Sequence, residues 1–143
     1  MALPHDPLWP RAGSWPAPVA GSHADVALLG VPTHATSLSP TRADTTPDAV
    51  RAALQRYSLE TRLAIVDAGD IPDPDADEQA AIALVRGIDA GLVIALGGDN
   101  AATVPVALGR AARLGPALIG CGRRLDGRNA CDFHFFLLRR VYR

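Results

Sequence analysis

Three times between residues 25 and 111 a short apolar run is followed by a segment with helical spacing, and this repeat limits the folds open to the chain. The runs are residues 25–31, 63–66 and 92–96. Each closes on turn chemistry: Pro32 after the first, Asp67-Ala68-Gly69-Asp70 after the second, Gly97-Gly98-Asp99-Asn100 after the third. Buried strands alternating with helices build a parallel sheet with crossover helices. A further run from Pro116 to Ile119 begins a fourth strand. The expected fold is therefore α/β, three-layered, with a four-stranded parallel sheet over residues 24–119 and helices on both faces.

The helices are marked locally. Thr46 is placed to cap the first, Pro47 suits its first position, and Asp48 favours the positive end of its dipole. Val50, Ala53, Leu54 and Tyr57 then form one apolar stripe. The second helix starts near Asp77, with Ala81, Leu84, Val85 and Ile88 as its stripe. For the third, Asn100 is a good cap, but Pro105 lacks an amide that a helix starting there would need, which favours a start at Thr103. Val104, Ala107, Leu108 and Ala111 are its expected buried face.

Outside this repeat the chain changes character. Residues 1–23 are rich in Pro, Trp and small residues and read as an extended arm. Residues 120–143 read as a divergent basic tail. All fourteen basic residues are arginine, eight of them against thirteen acids in residues 1–118 and six against two acids in residues 119–143. The run 133–138 is apolar and suits either a short strand or a short helix.

Net charge is −1, which gives no electrostatic reason to expect nucleic acid. No apolar run approaches the roughly 18 residues needed to cross a bilayer, and no leader with a basic then apolar region is visible, so no membrane partner and a cytoplasmic location are expected. Cys121 and Cys131 form no Cys-x-x-Cys pair.

Several candidate sites fall on their details. Asp73, Asp75, Asp77 and Glu78 resemble the start of a calcium loop, but Glu78 stands where a glycine makes the turn and Leu84 where a bidentate Glu belongs. That segment reads as a solvated loop capping the second helix. Gly97 and Gly98 precede a helix, yet there is no Gly-x-Gly-x-x-Gly, no Gly-Lys-Ser/Thr and no lysine, and Asp99 repels a phosphate. His5 and His23 lie in the arm and His134 has no partner at ligand spacing. His34 and Thr36 follow the first strand, where α/β proteins place ligand-binding groups, and are taken as candidate substrate contacts.

Five segments in order resemble the arginase, agmatinase and formiminoglutamase (ureohydrolase) family. They are Leu29-Gly30-Val31-Pro32, Thr36-Ser37-Leu38-Ser39-Pro40-Thr41, Thr46-Pro47-Asp48-Ala49-Val50-Arg51, Val66-Asp67-Ala68-Gly69-Asp70 and Leu96-Gly97-Gly98-Asp99-Asn100. The resemblance implies hydrolysis of a small amidine or guanidino substrate by a water bridging two manganese ions. Asn100 stands where the family has a metal-binding histidine, and this is similar to some formiminoglutamases. It points to hydrolysis of N-formimino-glutamate to glutamate and formamide. The family's later Asp-Ala-His-x-Asp and Asp-x-Asp motifs have no counterpart here. Only Asn129, in Leu125-Asp126-Gly127-Arg128-Asn129, matches its substrate loop. The resemblance thus covers the amino-terminal half of a family member, with the chain expected to be inactive alone and the change near residue 119 fitting a truncation or a shifted frame. The contrasting reading is a non-catalytic α/β module that binds a partner or self-associates through an uncovered sheet edge.

Overall fold

A computed structural model describes residues 11–114, 117–122 and 135–140 of the chain. Strand β1 (Ala24–Val31) is almost wholly buried. It lies between β2 (Ile65–Asp70) and β3 (Ala90–Gly97), parallel to both. Helix α1 (Thr46–Leu54) connects β1 to β2, α2 (Glu78–Gly87) connects β2 to β3, and α3 (Thr103–Leu114) follows β3. The α/β class and the three parallel strands are those the repeat implies.

Strand alternation assigns the layers. Ala27, Leu29 and Val31 of β1 and Val93 and Ala95 of β3 share one face with Ala81 and Val85 of α2 and Ala102 and Val106 of the α3 region, forming the main core. Gly30 points the other way, where a Cβ would meet Pro47 of α1 at 2.9 Å. Helices therefore cover both faces.

The sheet departs from expectation at its far side. Its order is β2-β1-β3-β5-β4, with β4 spanning Ala117–Gly122 and β5 Phe135–Arg140. Strand β5 pairs antiparallel with β3, from Leu92↔Arg139 to Leu96↔Phe135, and β4 pairs antiparallel with β5. The fourth run is a strand, but it does not extend the parallel sheet. The run at 133–138 supplies a strand that takes the open edge of β3, and periodicity identifies strands without saying which edge each will join.

Local details correct several expectations. Thr45, not Thr46, precedes α1, and its side chain makes no cap bond; a short 3-10 turn (Ala43–Thr45) leads in instead. Helix α1 ends at Leu54, so Tyr57 lies beyond it and is exposed, and Ala53 is exposed too. In α2, Ala81 and Val85 are buried but Leu84 is half exposed. The largest error concerns α3. Val104, Leu108 and Ala111 face outward, whereas Ala102, Pro105, Val106, Gly109 and Arg110 are buried. The inward face is set by close approach: a Cβ on Gly109 would lie 2.7 Å from the Val85 Cβ of α2. Next to it, buried Arg110 donates to the carbonyls of Ile88 (2.9 Å) and Ala90 (2.7 Å).

The β2 edge is not bare. The Asp67 amide donates to the Pro16 carbonyl at 2.9 Å, while the Gly69 amide donates to the Asp67 carboxylate. These two amides are occupied, which opposes pairing with another chain there. Among the described residues no helix is long and apolar enough to cross a membrane.

Candidate functional site

In a parallel sheet all the loops leaving carboxyl ends of strands gather on one edge, the usual place for ligands in α/β proteins. Here three connections meet there. Gly98 leaves β3 packed directly on the β1 loop, where a Cβ would come within 1.9 Å of the Thr33 carbonyl oxygen, so only glycine fits. The approach is stitched by the Gly98 amide to the Val31 carbonyl (3.0 Å) and the Asp99 amide to the Thr33 carbonyl (3.0 Å).

Asp99 organises the rest. Its Oδ1 accepts from the Ala101 amide (3.0 Å) and caps the 3-10 turn (Asn100–Ala102) that leads into α3. Its Oδ2 accepts from the hydroxyls of Thr36 (3.0 Å) and Ser37 (3.1 Å). Burial works against its ionisation, but the hydrogen bonds of Thr33, Thr36, the Ala101 amide and Ser37 outweigh it and hold its pKa below the usual carboxylate value. Asp99 thus takes the cap role considered for Asn100, and α3 begins at Thr103 as Pro105 requires. Asn100 is left exposed beside it.

The other end of the β1 loop is held by the connection after β2. One oxygen of Asp75 accepts from the amides of His34 (2.9 Å) and Ala35 (3.0 Å) and lies 3.2 Å from His34 Nδ1. The imidazole is half exposed. Asp77 caps α2 through the Ala80 amide at 2.9 Å. The acidic segment therefore serves as loop anchor and helix cap, in keeping with its failed calcium pattern.

A second acidic group forms at the end of β2. Two residues of β1, Leu28 and Gly30, oppose Asp67 and Asp70, so β2 carries an extra residue, and Gly69 absorbs the bulge at φ +73°. The bulge turns Asp67 and Asp70 to the same face. Arg51 of α1 clamps both, bonding Asp67 through Nε (2.7 Å) and Nη2 (2.9 Å) and Asp70 through Nη1. The hydrogen bond to Asp67, opposed by burial, raises the Arg51 pKa above its ordinary value. Burial also opposes ionisation of Asp67, yet Arg51 and the Gly69 amide hold its pKa low.

Of the residues picked from the sequence, His34, Thr36 and Asn100 stand on this one edge, with the Thr36 hydroxyl and the cap of the Asn100 turn bonded to the same carboxylate. Asn129 lies outside the described residues. The sequence reading missed Asp99 and Asp75 as the groups that hold the edge together. Thr36-Ser37 carried a signal, since adjacent hydroxyls in a loop seek an acceptor.

Among the described residues no three His, Cys, Asp or Glu side chains are grouped to hold a metal. Both oxygens of Asp99 are committed, Asp67 is committed to Arg51 and Gly69, and Asn100 offers a neutral amide. A bridged manganese pair needs several carboxylate or imidazole ligands together. The described residues do not fit it.

A family model described as "Arginase family" matches residues 24–120. No curated protein matches the chain. Several solved structures resemble it, three of them as follows. Proclavaminate amidino hydrolase from Streptomyces clavuligerus has a TM-score of 0.62 at 22% identity, covering 75% of this chain and 40% of that one. A hypothetical agmatinase from Burkholderia thailandensis has a TM-score of 0.56 at 30% identity, covering 64% and 34%. Formimidoylglutamase from Bacillus subtilis has a TM-score of 0.64 at 21% identity, covering 78% and 41%. The chain spans about two fifths of the length of such structures or less.

Proposed function

This chain belongs to the arginase family, and from that premise we propose that its carboxyl edge is the substrate-facing wall of a ureohydrolase that acts on a small amidine or guanidino compound. One observation carries the reading. The Gly98-Asp99 turn closes on residues 33–37, so that the family-like motifs after β1 and β3 form a single polar surface. Residues 117–122 and 135–140 complete the sheet beyond β3.

Within the family the reading favours a formiminoglutamase-type reaction, in which water adds to a planar formimino carbon and the C–N bond to glutamate breaks, releasing formamide. Its support is Asn100 at the position of the family's metal histidine. His34, Thr36 and Asn100 would contact the substrate or its surroundings, and Asn129 would serve as a further substrate contact. Arginase-family enzymes are generally metal-dependent, and manganese is the expected ion. Since the described residues do not fit a manganese pair, no step is assigned to it. Their part is to bind and orient.

The test is manganese titration calorimetry on the 143-residue chain together with assays for formamide and urea release from N-formimino-glutamate, agmatine and arginine. The expected result is neither stoichiometric tight manganese binding nor turnover, and no rescue by Asn100→His, which adds one ligand where several are needed. Tight binding with turnover would show that this chain carries a complete metal site and would overturn the wall-only reading.

A further inference from the structure

We propose that Asp99 is a positioning residue that fixes the hydroxyl oxygens of Thr36 and Ser37 as outward hydrogen-bond acceptors, so that this edge takes the N–H-bearing cationic group of a ligand rather than an anionic group. The inference rests on the reading that this edge meets substrate, and it adds which residues set the selectivity.

The argument is one of proton accounting. An ionised carboxylate only accepts, and a hydroxyl has one proton and two lone pairs. Asp99 Oδ2 lies 3.0 Å from Thr36 Oγ1 and 3.1 Å from Ser37 Oγ, so each hydroxyl gives its single proton to the carboxylate. What remains on both oxygens is acceptor capacity, beside a negative charge. Thr36 is exposed and Ser37 half-buried, so that capacity meets solvent. Among the described residues the groups acting on the Asp99 charge are hydroxyls, an amide and burial, with no arginine among them. Arg51, by contrast, is bound to Asp67 and Asp70.

The hydroxyl pair is also held in place. Asp75 fixes the loop at His34 and Ala35, Gly98 and Asp99 fix it at Thr33, and Leu38 beyond them is fully exposed and anchors nothing. Polar bonds define where the two oxygens stand. An asparagine at position 99 separates holding from polarising. Its oxygen can keep the cap on the Ala101 amide while its NH2 donates to the two hydroxyls, whose protons then turn outward. The loop is retained and its polarity reversed.

The experiment is a 15N NMR titration of the intact chain with agmatine as the cationic probe and glutarate as the anionic one. The wild type should show saturable agmatine shifts at the amides of residues 36, 37 and 100 and none with glutarate. Asp99→Asn should keep the free-state positions of residues 33–37 and weaken agmatine by about tenfold or more, as expected when charge-assisted acceptors are lost. If Asp99→Asn disturbs the loop, the double variant Thr36→Val/Ser37→Ala, which leaves the Ala101 cap in place, decides. Its loss of agmatine binding supports the inference. Equal agmatine affinity in wild type and variants, or no saturable shift at the loop, overturns it. The titration needs neither metal nor turnover, so absence of hydrolysis leaves a positive result standing. A flat titration leaves the family-based hydrolase reading to its own assays.

Discussion

The two edges of the sheet use similar side chains to opposite ends. At the amino edge, Arg110 is buried with its guanidinium on the Ile88 and Ala90 carbonyls, and Arg113 and His23 both bond Asp89, at 2.6 Å and 2.9 Å. The His23 hydrogen bond, then that of Arg113, holds the Asp89 pKa below its usual value. Apart from the buried Arg110 Nε, the donors and acceptors named there close on one another or on backbone. At the carboxyl edge, Asp75 and Asp99 take the donors of the β1 loop, leaving the His34 ring half exposed and the Thr36 hydroxyl exposed. One edge holds helix α3 against the sheet, and the other holds a loop whose hydroxyls stay open to solvent. The residue types do not distinguish the edges; what each polar group bonds to does.

The two ends of β3 offer the sharpest way to break this contrast. Gly98→Ala drives a methyl into the Thr33 carbonyl and should cost about 3 kcal/mol or more, because backbone rather than a flexible side chain stands in the way. Gly91→Ala, at the other end, meets the Asp25 carbonyl at 3.3 Å and should stay within about 1 kcal/mol. Urea denaturation of the two variants checks both values, and equal effects would mean that the close approach at the carboxyl edge is not real.

Arg110→Leu tests the amino edge itself. It deletes two hydrogen bonds from a buried charge and leaves two carbonyls without these donors, a loss of about 3 kcal/mol in chemical denaturation. Arg51→Ala should cost a similar or slightly smaller amount, about 2–3 kcal/mol, since it leaves Asp67 and Asp70 facing each other at a partly exposed site. A neutral result for either would show the guanidinium to be a passive filler.

The smallest effect is linked to pH. Asp99 has a lowered pKa in the folded state, so its contribution is fully present above the unfolded value of about 3.9 and is lost as pH falls through the lower folded value. Thr36→Val/Ser37→Ala should bring the folded value back toward the unfolded one. The acid-unfolding midpoint then moves to higher pH, with a stability change below about 1 kcal/mol. Carboxyl 13C titration of Asp99 reads the shift directly, and an unchanged Asp99 would mean that the hydroxyls do not donate to it.

The parts legible in the sequence were those that depend on local pattern. Strands β1 and β3 announce themselves as short apolar runs closed by turn residues, whereas β2 begins inside its run and takes in Asp67–Asp70, the segment read as its closing turn. The start of α3 at Thr103 follows from the missing amide of Pro105. The inward face of α3 was hidden because Gly109 and Arg110 are not apolar, although both are buried. A glycine that lets helices touch and an arginine that reads carbonyls look like surface residues to a hydrophobic stripe. The shared face of Asp67 and Asp70 required a bulge, and Gly69 inside a strand was its visible sign. The choice between Asp99 and Asn100 as cap could not be made locally, since both types suit the position. The position of β5 against β3 was out of reach for a different reason: it depends on pairing between distant segments.

The central claim is that two carboxylates, together with the backbone bonds at Thr33, hold the β1 loop as the wall of the carboxyl edge, and amide hydrogen exchange in the intact chain tests it most directly. The amides of His34 and Ala35 lie in an exposed loop but donate to Asp75, so they should exchange about tenfold or more slowly than free-loop amides. Asp75→Ala should release these two while leaving the Asp99 amide, bound to the Thr33 carbonyl, protected. Exchange of His34 and Ala35 at the free-loop rate in the unmodified chain would contradict the account.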